Sequence, residues 1–319
     1  MREAEGHIRT RMTEVLAISH PVMSAGMGHL AVPSLVAAVS AAGGLGVLAT
    51  STLTPDEVRD SIRAVRRLTN APFGANILLR SDQAAAIAAV VVDERVPVVN
   101  LALGIDADLV AEVHRYGGKV VSTVTTVRHA SSAAASGVDA LIATGHEAGG
   151  HGGDISTMVL VPLLVGCVAI PVIAAGGFSD GAGLAAALML GAQGISMGSR
   201  FALSAECPIH PSVRERLLTS GASDTIVTDQ IDGLQSRVLR TELAQALAAA
   251  HDYAEGRVSP GRDTFAALRR GDLERGVVAI GQVVGMIDDT PTCAEIIRRV
   301  VSGARQLIAD RAMEFSPPT

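Results

Sequence analysis

Aromatic residues are almost missing from this chain: five Phe, two Tyr and no Trp make up 2% of its 319 residues. The core must therefore be built from Ala, Val, Leu and Ile, which suits parallel strands buried on both faces and read as continuous apolar runs. Cysteine is scarce as well. Cys167, Cys207 and Cys293 lie far apart with no CxxC pair, which argues against a disulfide framework or a zinc site and for a reducing compartment. An excess of positive charge is also missing: 26 basic residues against 32 acidic ones leave −6, so no nucleic-acid partner is expected. No apolar h-region is visible among the first residues, so no signal peptide is expected and the cytoplasm is the expected location. The most membrane-like stretch, Met158 to Ala175, is broken by Pro162 and Pro171. It reads as a helix followed by a buried strand, not as a membrane span.

What is plentiful is glycine and short apolar runs. Eight runs alternate with helical segments: Pro21 to Ala25, Leu45 to Ala49, Phe73 to Leu79, Val96 to Leu103, Lys119 to Val124, Asp139 to Ala143, Pro171 to Ala175 and Gln193 to Met197. Thr54-Pro55-Asp56-Glu57 opens one of the helices, with a Thr cap, a Pro at the first position and a Glu three residues on. Eight such units predict a (β/α)₈ TIM barrel, whose usual size is about 250 residues. Residues 204–276 lose this rhythm, and the Ala-rich segment from Leu239 to Ala250 is helical in pattern. The expected organisation is a barrel formed by 1–203 and 277–319, with a smaller helical cap or substrate domain at 204–276.

The chain is organised around Gly145-His146-Glu147-Ala148-Gly149-Gly150-His151-Gly152-Gly153, a strand-to-helix loop in which five of nine residues are glycine. In this architecture, loops at the C-terminal ends of the strands carry the chemistry. His151 is the candidate catalytic residue, since an imidazole titrates near working pH and can move a proton; the competing reading is that it only ties the loop down. Glu147 either orients that loop or faces water. Asn76, in an otherwise apolar strand, either serves a ligand's amide-like edge or satisfies nearby backbone. Ala175-Gly176-Gly177-Phe178 and Met197-Gly198-Ser199-Arg200 follow the seventh and eighth strands, where barrels bind phosphate on backbone amides. Gly26-Met27-Gly28-His29-Leu30-Ala31 matches a GxGxxA dinucleotide turn, but the next strand offers no acidic residue for a ribose. His7, His20, His29, His114, His129, His210 and His251 form no metal-ligand spacing, and no metal is expected.

These motifs together resemble the nitronate monooxygenase family, related to the flavin-dependent enoyl-ACP reductases. The resemblance rests on Gly145 to His151, Pro171 to Phe178 and Gly198 to Phe201. Pro21 to Met27, Pro72 to Asn76, Glu206 to Pro211, Gly281-Gln282 and Gly285 extend it, so that it covers the chain from about Arg9 to Arg311. It implies an FMN-binding barrel in which Ala25, Gly26 and Met27 line the flavin, with Asn76 and Thr123 beside it. Gly150, Ala175, Gly176, Gly177, Gly198 and Ser199 would hold the ring edge and the phosphate, and His151 matches the family's active-site histidine. The implied activity is oxidation of alkyl nitronates, or nitroalkanes, by O₂ to carbonyl compounds and nitrite. An NAD(P)H-dependent reductase acting on enoyl thioesters or quinones is the alternative, and a non-catalytic barrel that binds a phosphorylated ligand is the remote one. Some relatives carry a Lys where this chain has Thr123, which puts the finer activity in doubt. No membrane partner is expected, and the oligomeric state is left open, a homodimer included.

Overall fold

Eight short strands form a parallel sheet closed on itself in the computed structural model, which describes residues 7–250 and 263–315. In chain order the eleven strands of the described residues, eight of them in this sheet, are β1 (Val22–Ser24), β2 (Gly46–Ala49), β3 (Phe73–Leu78), β4 (Val98–Ala102), β5 (Lys119–Val124), β6 (Ala140–Thr144), β7 (Gly150–His151), β8 (Val172–Ala175), β9 (Ile195–Met197), β10 (Thr225–Thr228) and β11 (Ser236–Leu239). The barrel runs β1-β9-β8-β6-β5-β4-β3-β2. It closes where Ser24 N–H donates to the Leu45 carbonyl at 2.9 Å and Leu45 N–H to the Val22 carbonyl at 3.0 Å. This is the (β/α)₈ TIM barrel that the apolar runs predict.

Two apolar layers hold it. Met23, Leu45, Val47, Val98, Val121, Ile142 and Ile173 fill the interior with Met12, Leu16 and Ile18, so the helix Arg11–Val15 and the turn after it stopper one end. Outside, the helices pack on the strands through Ala, Val, Leu and Ile, as the near absence of aromatics requires. The expected capping box at Pro55–Leu68 forms, with Glu57 Oε2 accepting from Thr54 N–H at 2.8 Å. The last helix, Cys293–Glu314, packs on Gly181–Met189. A Cβ at Gly181 would lie 2.5 Å from the Ala304 nitrogen, so only glycine permits this approach.

Residues 204–276 differ from the helical expectation. Helices Pro211–Leu218 and Glu242–Ala249 are present, but between them β10 and β11 form an antiparallel hairpin. That hairpin captures part of the glycine-rich loop: Ser236 pairs with His151 and Arg237 with Gly150, so β7 is the third strand of a small sheet. Within 204–276, residues 251–262, which include His251, lie outside the described residues. Among the described residues, no helix is long and apolar enough to cross a membrane, and all three cysteines are unpaired. Burial pushes the Cys207 thiol up to about 11 and that of Cys293 to about 12, so neither is a nucleophile near neutral pH.

Candidate active site

The C-terminal ends of the barrel strands open into a cavity of about 1000 Å³, roofed by the hairpin. All twelve residues singled out in the sequence line it. Ala25, Gly26 and Met27 follow β1, Asn76 lies on β3 and Thr123 on β5. Gly150 and His151 form β7, Ala175 ends β8 with Gly176 and Gly177 after it, and Gly198 and Ser199 follow β9.

The floor is polar but neutral. Asn76 Nδ2 donates to Asn100 Oδ1 at 2.8 Å, and Asn100 Nδ2 donates to Thr123 Oγ1 at 3.1 Å. This chain crosses β3, β4 and β5. It leaves the Asn76 amide oxygen and the Thr123 hydroxyl proton as the groups to offer a ligand. Asn76 Nδ2 also lies 3.3 Å from the Asn100 carbonyl, so the residue satisfies nearby backbone, one of the two roles its sequence position allowed. Asn100 carries the same signal, a lone amide in an apolar strand, and was missed.

The glycines of the phosphate-type loops serve different purposes. Gly176 adopts φ +97°, and a Cβ there would lie 3.0 Å from Thr157 Oγ1, so glycine is required by the turn itself. Gly198 has φ −94°, and its nearest neighbours to a Cβ are Ala25 Cβ at 3.7 Å and Met27 Sδ at 3.9 Å. Nothing in the protein demands glycine there; the space belongs to the cavity. Ser199 Oγ accepts from Gly281 N–H at 3.0 Å, which ties the C-terminal segment to the site and leaves its hydroxyl proton free to donate.

Glu147 turns away from the cavity's chemistry. Its carboxylate accepts from Thr157 N–H at 2.9 Å and Thr157 Oγ1–H at 2.8 Å, anchoring the start of the helix Thr157–Cys167. Arg237 is 5% exposed; it donates from Nε to the His146 carbonyl at 3.0 Å and from Nη1 to Thr225 Oγ1 at 2.9 Å. Burial lowers its pKa, opposed by the charge of Glu147.

Among the described residues, every titratable side chain lining the cavity sits toward its mouth: Arg80, His129 and Asp154 are exposed, while His151 and Asp232 are half-buried. His151 Nε2 lies 2.8 Å from Asp232 Oδ2. Asp232 was not found in the sequence, although Asp232-Gly233 after the β-branched run Thr225–Thr228 is a turn signal. His129 is bonded to Thr125, with Nδ1 3.2 Å from its Oγ1, and His146 to the Gly153 carbonyl at 3.2 Å. Among the described residues, no group of three or more His, Cys, Asp or Glu side chains is placed to hold a metal.

The family model described as nitronate monooxygenase matches residues 9–303. A Mycobacterium tuberculosis protein named (3aS,4S,5R,7aS)-5-hydroxy-7a-methyl-1-oxo-octahydro-1H-indene-4-carboxyl-CoA dehydrogenase is 38% identical, over 93% of this chain and 96% of its own. A probable nitronate monooxygenase of Staphylococcus aureus is 29% identical, over 75% and 80%. The structure of FabK from Thermotoga maritima superimposes with a TM-score of 0.90 at 36% identity, covering 97% of this chain and all of that one.

Proposed function

The chain belongs to the nitronate monooxygenase family, and we propose that within this flavin-dependent oxidoreductase family it binds FMN and acts on an acyl thioester. The cavity fits that cofactor. Its volume of about 1000 Å³ lies at the upper end for small-molecule sites, about 300–1000 Å³. Gly198 leaves open the space that a Cβ would fill, and the Asn76–Asn100–Thr123 chain presents a neutral hydrogen-bonding edge. Gly176, Gly177, Gly198 and Ser199 would hold the phosphate. Ala25, Gly26, Met27, Asn76, Thr123, Gly150 and Ala175 would hold the ring system. Bound there, FMN supplies a two-electron acceptor or donor.

The observation that carries the substrate class is the uncharged floor. A nitronate arrives as a preformed anion and gains from a fixed cation, yet among the described residues the lining has no Lys and one Arg, Arg80, exposed at the mouth. A neutral thioester needs something else: a base beside the carbon next to its carbonyl. His151 fills that role, taking or returning the α-proton while the floor and the hairpin roof limit water. The dehydrogenase relative, whose name specifies a CoA thioester, supports the same class.

Nitronate or nitroalkane oxidation by O₂ is the second reading, favoured by the family match and the Staphylococcus relative. Anaerobic mixing of the yellow holoenzyme separates the two. Bleaching by a saturated acyl-CoA, or by NAD(P)H with re-oxidation by an enoyl thioester, supports the proposal and gives the direction of transfer. Bleaching by a nitronate alone overturns it.

A further inference from the structure

The hairpin holds His151 at its backbone and at Nε2 of its imidazole, and this determines which ring nitrogen is available. We propose that Asp232 is a positioning residue: it keeps neutral His151 as the Nε2–H tautomer, so that Nδ1 is the atom that exchanges the proton with substrate. The inference rests on reading His151 as the proton-handling group.

Three features carry it. First, His151 Nε2 and Asp232 Oδ2 are 2.8 Å apart, and an ionised carboxylate can only accept. The hydrogen between them therefore belongs to Nε2, and the lone pair of the neutral ring lies on Nδ1. Second, the carboxylate is itself oriented: Asp232 Oδ1 accepts from Leu234 N–H at 3.2 Å in the turn between β10 and β11. Third, the same hairpin fixes the backbone of His151 through its pairing with Ser236. The ring is thus anchored at its Cα by one strand and at its tip by the turn, four residues apart in sequence. Such two-point fixing reduces the rotamer freedom that a base in a glycine-rich loop otherwise keeps. Among the described residues, the other cavity-lining imidazole, His129, is exposed and its ring pairs with a Thr hydroxyl.

The step needs no further reagent. The α-C–H bond of the thioester breaks, an N–H bond forms at Nδ1, and the electron pair stays on the α-carbon, delocalised toward the thioester carbonyl. The imidazolium so formed retains its Nε2–H on Asp232, whose charge offsets the new positive charge. In the return direction the same Nδ1 delivers the proton.

The test is long-range ¹H–¹⁵N correlation on holoenzyme labelled at histidine nitrogen, at a pH where the ring is neutral, with His151 assigned by its loss in His151→Gln. Wild type is expected to show a protonated Nε2 and an unprotonated Nδ1. In Asp232→Asn the amide offers either an acceptor or a donor, so the tautomers mix and kcat falls on the order of 10²-fold, less than the roughly 10⁴ of a fully buried triad. The flavin-to-protein ratio is expected to stay unchanged, and Asp232→Glu to recover part of the rate. A wild-type His151 protonated at Nδ1 overturns the proposal without any variant. So does an Asp232→Asn protein with wild-type tautomer and kcat. If His151→Gln keeps full turnover, the catalytic reading fails instead, and the tautomer remains answered separately.

Discussion

The floor and the roof of the cavity face one another but are made of different materials. The floor consists of strand ends: buried amides and hydroxyls of Asn76, Asn100, Ser122 and Ser196, with glycine backbone around them and no charge. The roof is the β10–β11 hairpin, which brings Asp232 to the mouth and buries the Arg237 guanidinium behind it. A neutral, pre-arranged floor suits a large cofactor that supplies its own reactivity. Charge placed at a half-buried mouth acts on whatever enters, and the low dielectric beneath strengthens it. Under the proposed reading, cofactor binding and proton handling would fall to separate pieces of chain within one scaffold. Changes in the hairpin could alter the substrate without disturbing the floor.

That division is broken most directly at His151. His151→Ala is expected to cut turnover by about 10²–10⁴-fold, the usual contribution of a positioned acid–base group, while FMN absorbance per protein stays at the wild-type level. Loss of flavin together with activity would show that roof and floor are one unit. The converse experiment is Gly198→Val. Its backbone angle is ordinary and no protein atom lies within 3.7 Å of the added Cβ, so the fold should persist while the side chain fills the floor. A thermal midpoint near wild type with little or no bound flavin is expected, and full occupancy would move the phosphate elsewhere. Gly176→Val is a poorer test because φ +97° strains any side chain there before a ligand is considered.

Arg237→Met probes the roof's own stability. It removes a buried guanidinium from the His146 carbonyl and Thr225 Oγ1, leaving both acceptors to find other partners at a cost of about 1–3 kcal/mol. Denaturant unfolding measures the loss. If floor and roof are distinct, the flavin-to-protein ratio changes less than KM does. Equal changes in both would argue that the hairpin also grips the cofactor.

The two halves also differed in how readable they were. Barrel strands such as Val98–Ala102 are buried on every residue, so they stand out as unbroken apolar runs, and the glycine loops mark where they end. The hairpin lacks that signature because β11, though buried throughout, includes Ser236 and Arg237, β10 is buried only at Thr225 and Thr228, and each strand holds four residues. β7 is two residues long and exists only because β11 lies beside it. The His151–Asp232 contact spans 81 positions; no local pattern encodes such a pairing. Asn100 was a different failure: its signal equalled that of Asn76, and only its hydrogen bond to Asn76 reveals that the two work as a chain.

Glu147 gives the smallest expected effect and the sharpest check on where chemistry ends and scaffolding begins. Its position four residues before His151 invites a catalytic reading, but both carboxylate contacts go to Thr157 at the start of a helix. A negative charge there gains from the helix dipole and from otherwise unpaired N–H groups, worth about 0.3–1 kcal/mol. Glu147→Gln keeps an acceptor oxygen and removes only the charge, so stability should fall by no more than about 1 kcal/mol, with kcat within about twofold of wild type. Stopped-flow measurement of flavin reduction isolates the chemical step from product release. A tenfold slowing in that phase would place Glu147 in the reaction and would mean that the mouth's charges act together, not through the His151–Asp232 pair alone.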